Sequence, residues 1–175
     1  MDSTPTTLTP LERLQLANQF EILEKMKPEE AEHYASLREI VERGYTIRYE
    51  EVFNGIYDEM SLDECKYVYD VLDMHLALIN SFNELKEKQG LTEEDVKFKG
   101  FDGNNESKRH GFVRYLQKEG LWTETLVADL NSHSMMTMKL YPRMLRNFEP
   151  IKQQILDSHS GNWLLTAEQI RKVIS

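Results

Sequence analysis

The residues best suited to chemistry cluster between Phe98 and Arg114. Phe98-Lys99-Gly100-Phe101-Asp102-Gly103-Asn104 reads as a loop, because two glycines and the turn-forming Asp and Asn sit within seven residues. Lys108, Arg109, His110 and Arg114 follow on a helix expected from about Glu106 to Lys118. Asp102, Lys108, Arg109, His110 and Arg114 are therefore the candidate binding residues. They combine an exposed turn, one acid and several bases, and Arg114 has the forked geometry that clamps a carboxylate or another anion. A simpler account is a structural loop in which Asp102 caps the next helix.

Asp70 and Asp73 form a second set. Three residues apart on a helix, they share a face and could bind a divalent cation or act as an acid–base pair. A solvated polar stripe explains them as well. Glu30-Ala31-Glu32-His33 contains a Glu-x-x-His pair of the di-iron type, but that site needs a second copy and further carboxylates. His33, His75, His110, His133 and His159 lack metal-ligand spacing, and His75 lies among apolar neighbours as a core histidine would. The single cysteine, Cys65, has no partner for a disulfide and sits beside Glu64, a poor setting for a thiolate. No Gly-x-Ser-x-Gly, phosphate-binding loop or dinucleotide fingerprint occurs. No cofactor or metal is expected.

Charge limits the partners. The net charge is −9, which argues against binding to nucleic acid through phosphate neutralisation. Residues 1–95 carry 9 basic and 22 acidic side chains, and residues 96–175 carry 12 and 8. Acidic and basic surfaces of separate copies could therefore meet. No apolar run approaches the roughly 20 residues of a membrane span, and Met1 to Thr9 lacks the pattern of a secretory signal. A soluble cytoplasmic protein is expected.

Long helices must position these residues. Thr9, Pro10 and Glu12 make an N-cap, a first-turn proline and a capping box, and Leu16, Phe20, Leu23 and Met26 follow at helical spacing. Pro28 should open a second helix, with Ala31, Tyr34, Leu37 and Val41 inward and Gly44 closing it. A short helix should precede Asn54-Gly55. Ser61 and Glu64 should box the start of a helix running to about Lys88. Its polar positions, Asp63, Lys66, Asp70, Asp73, Asn80 and Glu84, form one narrow stripe, which predicts a helix surrounded by others. The helix after the loop should turn Phe112, Tyr115 and Leu116 inward. Residues 121–133 should be a short helix and a loop, and Met135 to Asp157 a helix interrupted or kinked near Pro142 and Pro150. Thr166 and Gln169 box the last helix, with Leu165 and Ile170 as its staple. The expected fold is all-α: a multihelical single domain over residues 9–175, built around a central apolar helix at about 61–89, after a flexible stretch at 1–8.

Short matches to a known family run through these elements. They include Arg13-Leu14-Gln15-Leu16-Ala17-Asn18-Gln19-Phe20 and Ile40-Val41-Glu42-Arg43-Gly44-Tyr45. Gly100-Phe101-Asp102 and Gly111-Phe112-Val113-Arg114-Tyr115 follow. The last are Tyr141-Pro142-Arg143-Met144-Leu145 and Leu165-Thr166-Ala167-Glu168-Gln169-Ile170. The chain resembles the YfbU family from about Leu11 to Ile174, with Pro142 a departure from its pattern. The resemblance implies an all-helical, bacterial, cytoplasmic protein and transfers no catalytic residues. The leading expectation is a non-enzymatic interaction or regulatory module that forms a homo-oligomer through apolar helix faces. The alternatives are a small metal-dependent hydrolase using Asp70, Asp73 and Asp102, and a DNA-binding regulator whose recognition helix would be Leu62 to Met74.

Overall fold

The computed structural model describes residues 4–127, 129–159 and 161–175. They form eight α-helices and two 3-10 turns, with one isolated parallel bridge between Phe101 and Asn131 and no named strand among the described residues. The all-α fold class holds. The chain divides between Glu59 and Met60 into two compact units, each with its own core.

The first unit is a helical hairpin. Helix α1 (Pro10–Met26) opens with the expected capping box: Glu12 N–H donates to Thr9 Oγ1, and Thr9 N–H donates to Glu12 Oε2 at 2.7 Å. Pro28–Glu30 is a 3-10 turn rather than the start of the second helix, and α2 follows at Ala31–Arg43. Glu24 lies against Arg38, Lys27 against Tyr34, and Arg13 against Gly44, the pairing of antiparallel helices. Gly44 closes α2 at φ +70°, and a Cβ there would overlap the Arg13 guanidinium. Only glycine meets both demands cheaply. A second 3-10 turn, Thr46–Arg48, leads into the short α3 (Tyr49–Val52). Ala17, Phe20, Leu37, Ile40, Val41 and Tyr49 form the buried core. Met26, expected inward, is 73% exposed, because it is the last residue of α1 and the chain leaves the helix at Lys27, the next residue. Met1 to Ser3, part of the stretch expected to be flexible, lie outside the described residues, and Leu8 packs partly buried on this core.

The second unit is built on α4 (Leu62–Glu84). Val68, Val71, Leu72, Met74, His75, Leu78 and Phe82 are buried, while all six predicted stripe positions are exposed. The helix packs against α5 (Glu93–Val96), α6 (Ser107–Lys118), α7 (Thr137–Ser158) and α8 (Ala167–Ile174), as expected of a central element. It ends at Glu84, short of the predicted 88–89. Leu85 turns extended, and the Lys88 ammonium folds back onto the Phe82 and Asn83 carbonyls, satisfying acceptors that a longer helix would have used. The Ser61–Glu64 box is half made: Glu64 N–H donates to Ser61 Oγ, while the Glu64 carboxylate turns toward Arg109 at 3.9 Å.

Helix α7 runs unbroken through Pro142 and Pro150, where an interruption was expected. Each proline removes one helical hydrogen bond at a cost of about 3 kcal/mol. Burial of Tyr141, Met144, Phe148 and Ile151 along one face outweighs that cost. In α6, Val113 and Leu116 point inward, Phe112 is partly buried, and Tyr115 is exposed rather than buried. Residues 121–127 form turns instead of a helix, held to α4 by Trp122, which stacks on Tyr69 and donates from Nε1 to Asp73 Oδ1 at 2.8 Å. The Thr166–Gln169 capping box of α8 forms as read.

The loop before α6 is pinned from inside. The buried Tyr141 hydroxyl accepts from Lys99 N–H at 3.1 Å and donates to the Gly100 carbonyl at 2.9 Å. Gly100 has φ +79°, and a Cβ there would overlap the Leu130 backbone. That close approach lets Phe101 N–H reach the Leu130 carbonyl at 3.0 Å and Ser132 N–H reach the Phe101 carbonyl at 3.1 Å. His75, Phe98, Phe101 and Tyr141 pack ring against ring around the clasp. Tyr141→Phe should cost about 2 kcal/mol, because it strands a buried N–H and carbonyl. Tyr115→Phe, at an exposed ring, should change stability by less than about 0.5 kcal/mol, with urea unfolding of both variants and the parent as the measurement.

His75 is the core histidine the sequence suggested. Its Nδ1 lies 2.9 Å from the Val96 carbonyl, so it carries the proton, and Nε2 has no partner. Burial pushes its pKa from 6.5 down to about 4. The unfolded chain therefore binds more protons between those values. The stability contributed by the neutral ring is complete above pH 6.5 and falls as pH drops toward 4, by up to ~1.4 kcal/mol per pH unit. In His75→Gln the fall in stability across that window should be shallower than in the parent, measured by unfolding at stepped pH.

Candidate functional site

The five candidate residues around Phe98–Arg114 separate into two groups. Asp102 and Arg109 turn inward. Asp102 accepts from Asn104 N–H at 2.9 Å and Asn105 Nδ2 at 2.7 Å. The Asn105 hydrogen bond, followed by that of Asn104, holds its carboxyl below the usual carboxylate range. It thus holds its own turn and does not cap α6, whose N-cap is Glu106. Arg109 Nη1 meets Glu106 Oε1 at 2.9 Å, and its guanidinium lies over the Tyr67 ring at 4.6 Å. Burial pushes the Tyr67 hydroxyl up to about 12, against the pull of Arg109.

Glu106, which the sequence did not single out, is the centre of this group. Its side chain is 1% exposed. Besides Arg109, its carboxylate accepts from Thr137 Oγ1 at 3.1 Å and Asp102 N–H at 3.3 Å. The position gave no signal, because Thr137 lies 31 residues away on α7.

His110 and Arg114 face the other way. They line an open cleft of about 360 Å³ with Gln117, Asp129, Leu130, Asn131 and His133. Asn131 Oδ1 accepts from the Gly103 and His133 backbone N–H groups, which ties both walls together. His133 Nε2 lies 3.6 Å from Asp129 Oδ2. The Asn131 backbone hydrogen bond lowers the Asp129 pKa, with a smaller contribution from His133. Arg114 is exposed and forms no ion pair with a described residue. Lys108 is exposed on α6 and lines neither this cleft nor the groove described next.

Asp70 and Asp73 line a larger groove, about 470 Å³, in the second unit. Asp70, Asp73, Ala77 and Asn80 recur on one face of α4, and Leu145, Phe148, Glu149 and Lys152 on one face of α7. Trp163 and Leu164 close the end, with Ser81 Oγ accepting from Leu165 N–H at 2.8 Å to fix the segment. The floor is apolar and the rim carries Asp70, Asp73 and Glu149 against Lys152. Lys152 Nζ sits 3.6 Å from Asp70 Oδ1, and Trp122 occupies Asp73 Oδ1. Neither carboxylate shares the groove with Asp102. Among the described residues, no three His, Cys, Asp or Glu side chains are grouped to hold a metal ion. The stretch that would have to act as a recognition helix, Leu62 to Met74, buries Val68, Val71, Leu72 and Met74 in the core.

Eight helices, two separate cores and an open apolar groove define an all-helical protein in which no described helix is long and apolar enough to cross a membrane. The chain belongs to the YfbU family, whose domain matches residues 6–175. Removing the buried carboxylate with Glu106→Ala should destabilise the protein by roughly 3 kcal/mol, since Arg109, Thr137 and Asp102 N–H all lose a charged acceptor. Urea unfolding followed by tryptophan fluorescence measures it, with the exposed Lys118→Ala as the surface comparison.

Proposed function

We propose that the protein is a non-enzymatic interaction module of the bacterial cytoplasm that self-associates and receives a partner segment in the α4–α7–Trp163 groove. The groove carries this reading. Leu76, Ala77, Leu145, Trp163 and Leu164, over the buried Phe148, leave an apolar surface open to solvent in a chain that is 29% charged. Asp70, Asp73 and Glu149 surround it, so the complementary partner is an amphipathic segment with apolar side chains and flanking lysine or arginine. The carboxylates that hydrolysis would require are dispersed and engaged with Lys152, Trp122 and Asn105, which favours binding over catalysis. Arg114, with His110, is the residue through which the smaller cleft would hold an anionic group.

A synthetic amphipathic helix of leucine and lysine is the probe. It should shift the emission of Trp163, and the shift should disappear in Trp163→Phe. Leu145→Asp should weaken binding at least tenfold. Equal binding by the parent and by Leu145→Asp would rule out the groove.

A further inference from the structure

Helix α1 is apolar on two opposite faces. Ala17 and Phe20 are buried, and Leu16 and Leu23 pack with them on the hairpin core. Leu11, Leu14, Ile22 and Met26 are 57–73% exposed. At roughly 100° per residue, these four and Asn18 fall within about 60° of one direction, opposite the buried face. Four large exposed apolar side chains on one helix face make a continuous strip. Gln15 and Asn18 in its middle are neutral, and Lys25, on the same face toward the C-terminal end, is paired with Glu21 at 2.6 Å. Depletion of charge at the centre of an apolar strip is the composition of an interface core.

The spacing says what covers it. Leu14 and Ile22 stand four residues either side of Asn18, and Leu11 and Lys25 stand seven either side, with Met26 next to Lys25. A strip with this near-palindromic order is complementary to itself run backwards. An antiparallel copy centred on Asn18 sets Leu14 against the partner's Ile22 and Leu11 against the partner's Lys25 stem and Met26. The Asn18 amides then face each other, and each can donate and accept. A central polar pair of this kind fixes register. The same arrangement brings the acidic first turn, with Glu12, beside the basic last turn, with Lys25, and aligns the helix dipoles favourably. Beside the strip, α1 and α2 leave a groove of about 250 Å³ lined by Leu14, Ala17 and Asn18 together with the charged Arg13, Glu21 and Glu42, into which a polar or charged partner side chain can project.

We propose that the exposed face of α1 is a homodimer interface, with a two-fold axis passing beside Asn18. This rests on the self-association reading above and specifies its surface. Two-fold interfaces require that residue i meet j while j meets i, and the strip satisfies that rule. A 17-residue helix offers a strip only about 26 Å long, which places the contact at the small end of specific interfaces. The expected dissociation constant is micromolar.

Sedimentation equilibrium of the full chain from 1 to 300 micromolar, concentrations chosen on that scale (~10⁻⁶ M), tests both levels. The parent should rise from monomer toward dimer mass. Leu14→Lys and Ile22→Lys should each raise the dissociation constant at least tenfold, with helical circular dichroism unchanged because both positions are exposed. Asn18→Cys in a Cys65→Ser background should be joined to itself by a short bis-maleimide, whereas Glu39→Cys in that background, exposed on the face of α2 opposite the hairpin core, should not. A parent that dimerises equally well with Leu14→Lys and Ile22→Lys, and leaves Asn18→Cys unlinked, overturns the α1 interface while self-association stands. A parent that stays monomeric throughout overturns both.

Discussion

The second unit depends on one buried hydroxyl. Tyr141 reaches from α7 to bind both Lys99 N–H and the Gly100 carbonyl, two adjacent backbone groups that the loop itself cannot satisfy. A buried, unpaired peptide group costs more than a typical hydrogen bond contributes, so the clasp is what permits a loop to enter the core. Once it is made, Gly100 can approach Leu130, Phe101 can pair with Asn131, and the aromatic cluster around His75 can close. Everything that shapes the His110–Arg114 cleft lies downstream of that contact. Asn131 joins its two walls only because Phe101 has been brought beside it.

The same logic explains why the residues richest in chemical potential became structural. A loop drawn into the interior brings its charges along, and buried charges must be paired. Asp102 is spent on Asn104 and Asn105, and Arg109 on Glu106 and the Tyr67 ring. Glu106 is buried with three donors around it. Surfaces left available lie elsewhere, where helices meet without filling the space between them. The α4–α7 groove is such a place, apolar at its floor and charged at its rim. The outer face of α1 is another, formed because a hairpin can cover only one side of a helix whose sequence is apolar on both.

That two-sided character shows how far a sequence pattern reaches. Leu16, Phe20 and Leu23 predicted the packed face of α1 correctly. Extending the stripe to Met26 failed, because periodicity cannot say where a tertiary contact stops, and the chain reverses at Lys27. Tyr115 failed for a similar reason: its spacing suits the inward face of α6, but Val113 and Leu116 already fill the contact. The prolines of α7 carried a real local penalty, yet the burial of four large side chains decided the helix. Of the candidate binding residues, His110 and Arg114 share a cleft and Asp102 and Arg109 do not face it. No local pattern distinguishes a charge facing outward from one turned into a knot.

The sequence by itself determined the helical class, the N-caps at Thr9, Ser61 and Thr166, the central place of α4 and the family. These are local or periodic properties, fixed by hydrogen bonds a few residues apart and by one face's need for burial. Only the tertiary structure decided the Tyr141 clasp, the Glu106 knot, the groove under Trp163 and the division into two cores. The first three join residues roughly 30 to 80 positions apart, such as Glu106 with Thr137 or Ser81 with Leu165. Such contacts follow from which helices pack together, which the spacing along any one helix does not encode.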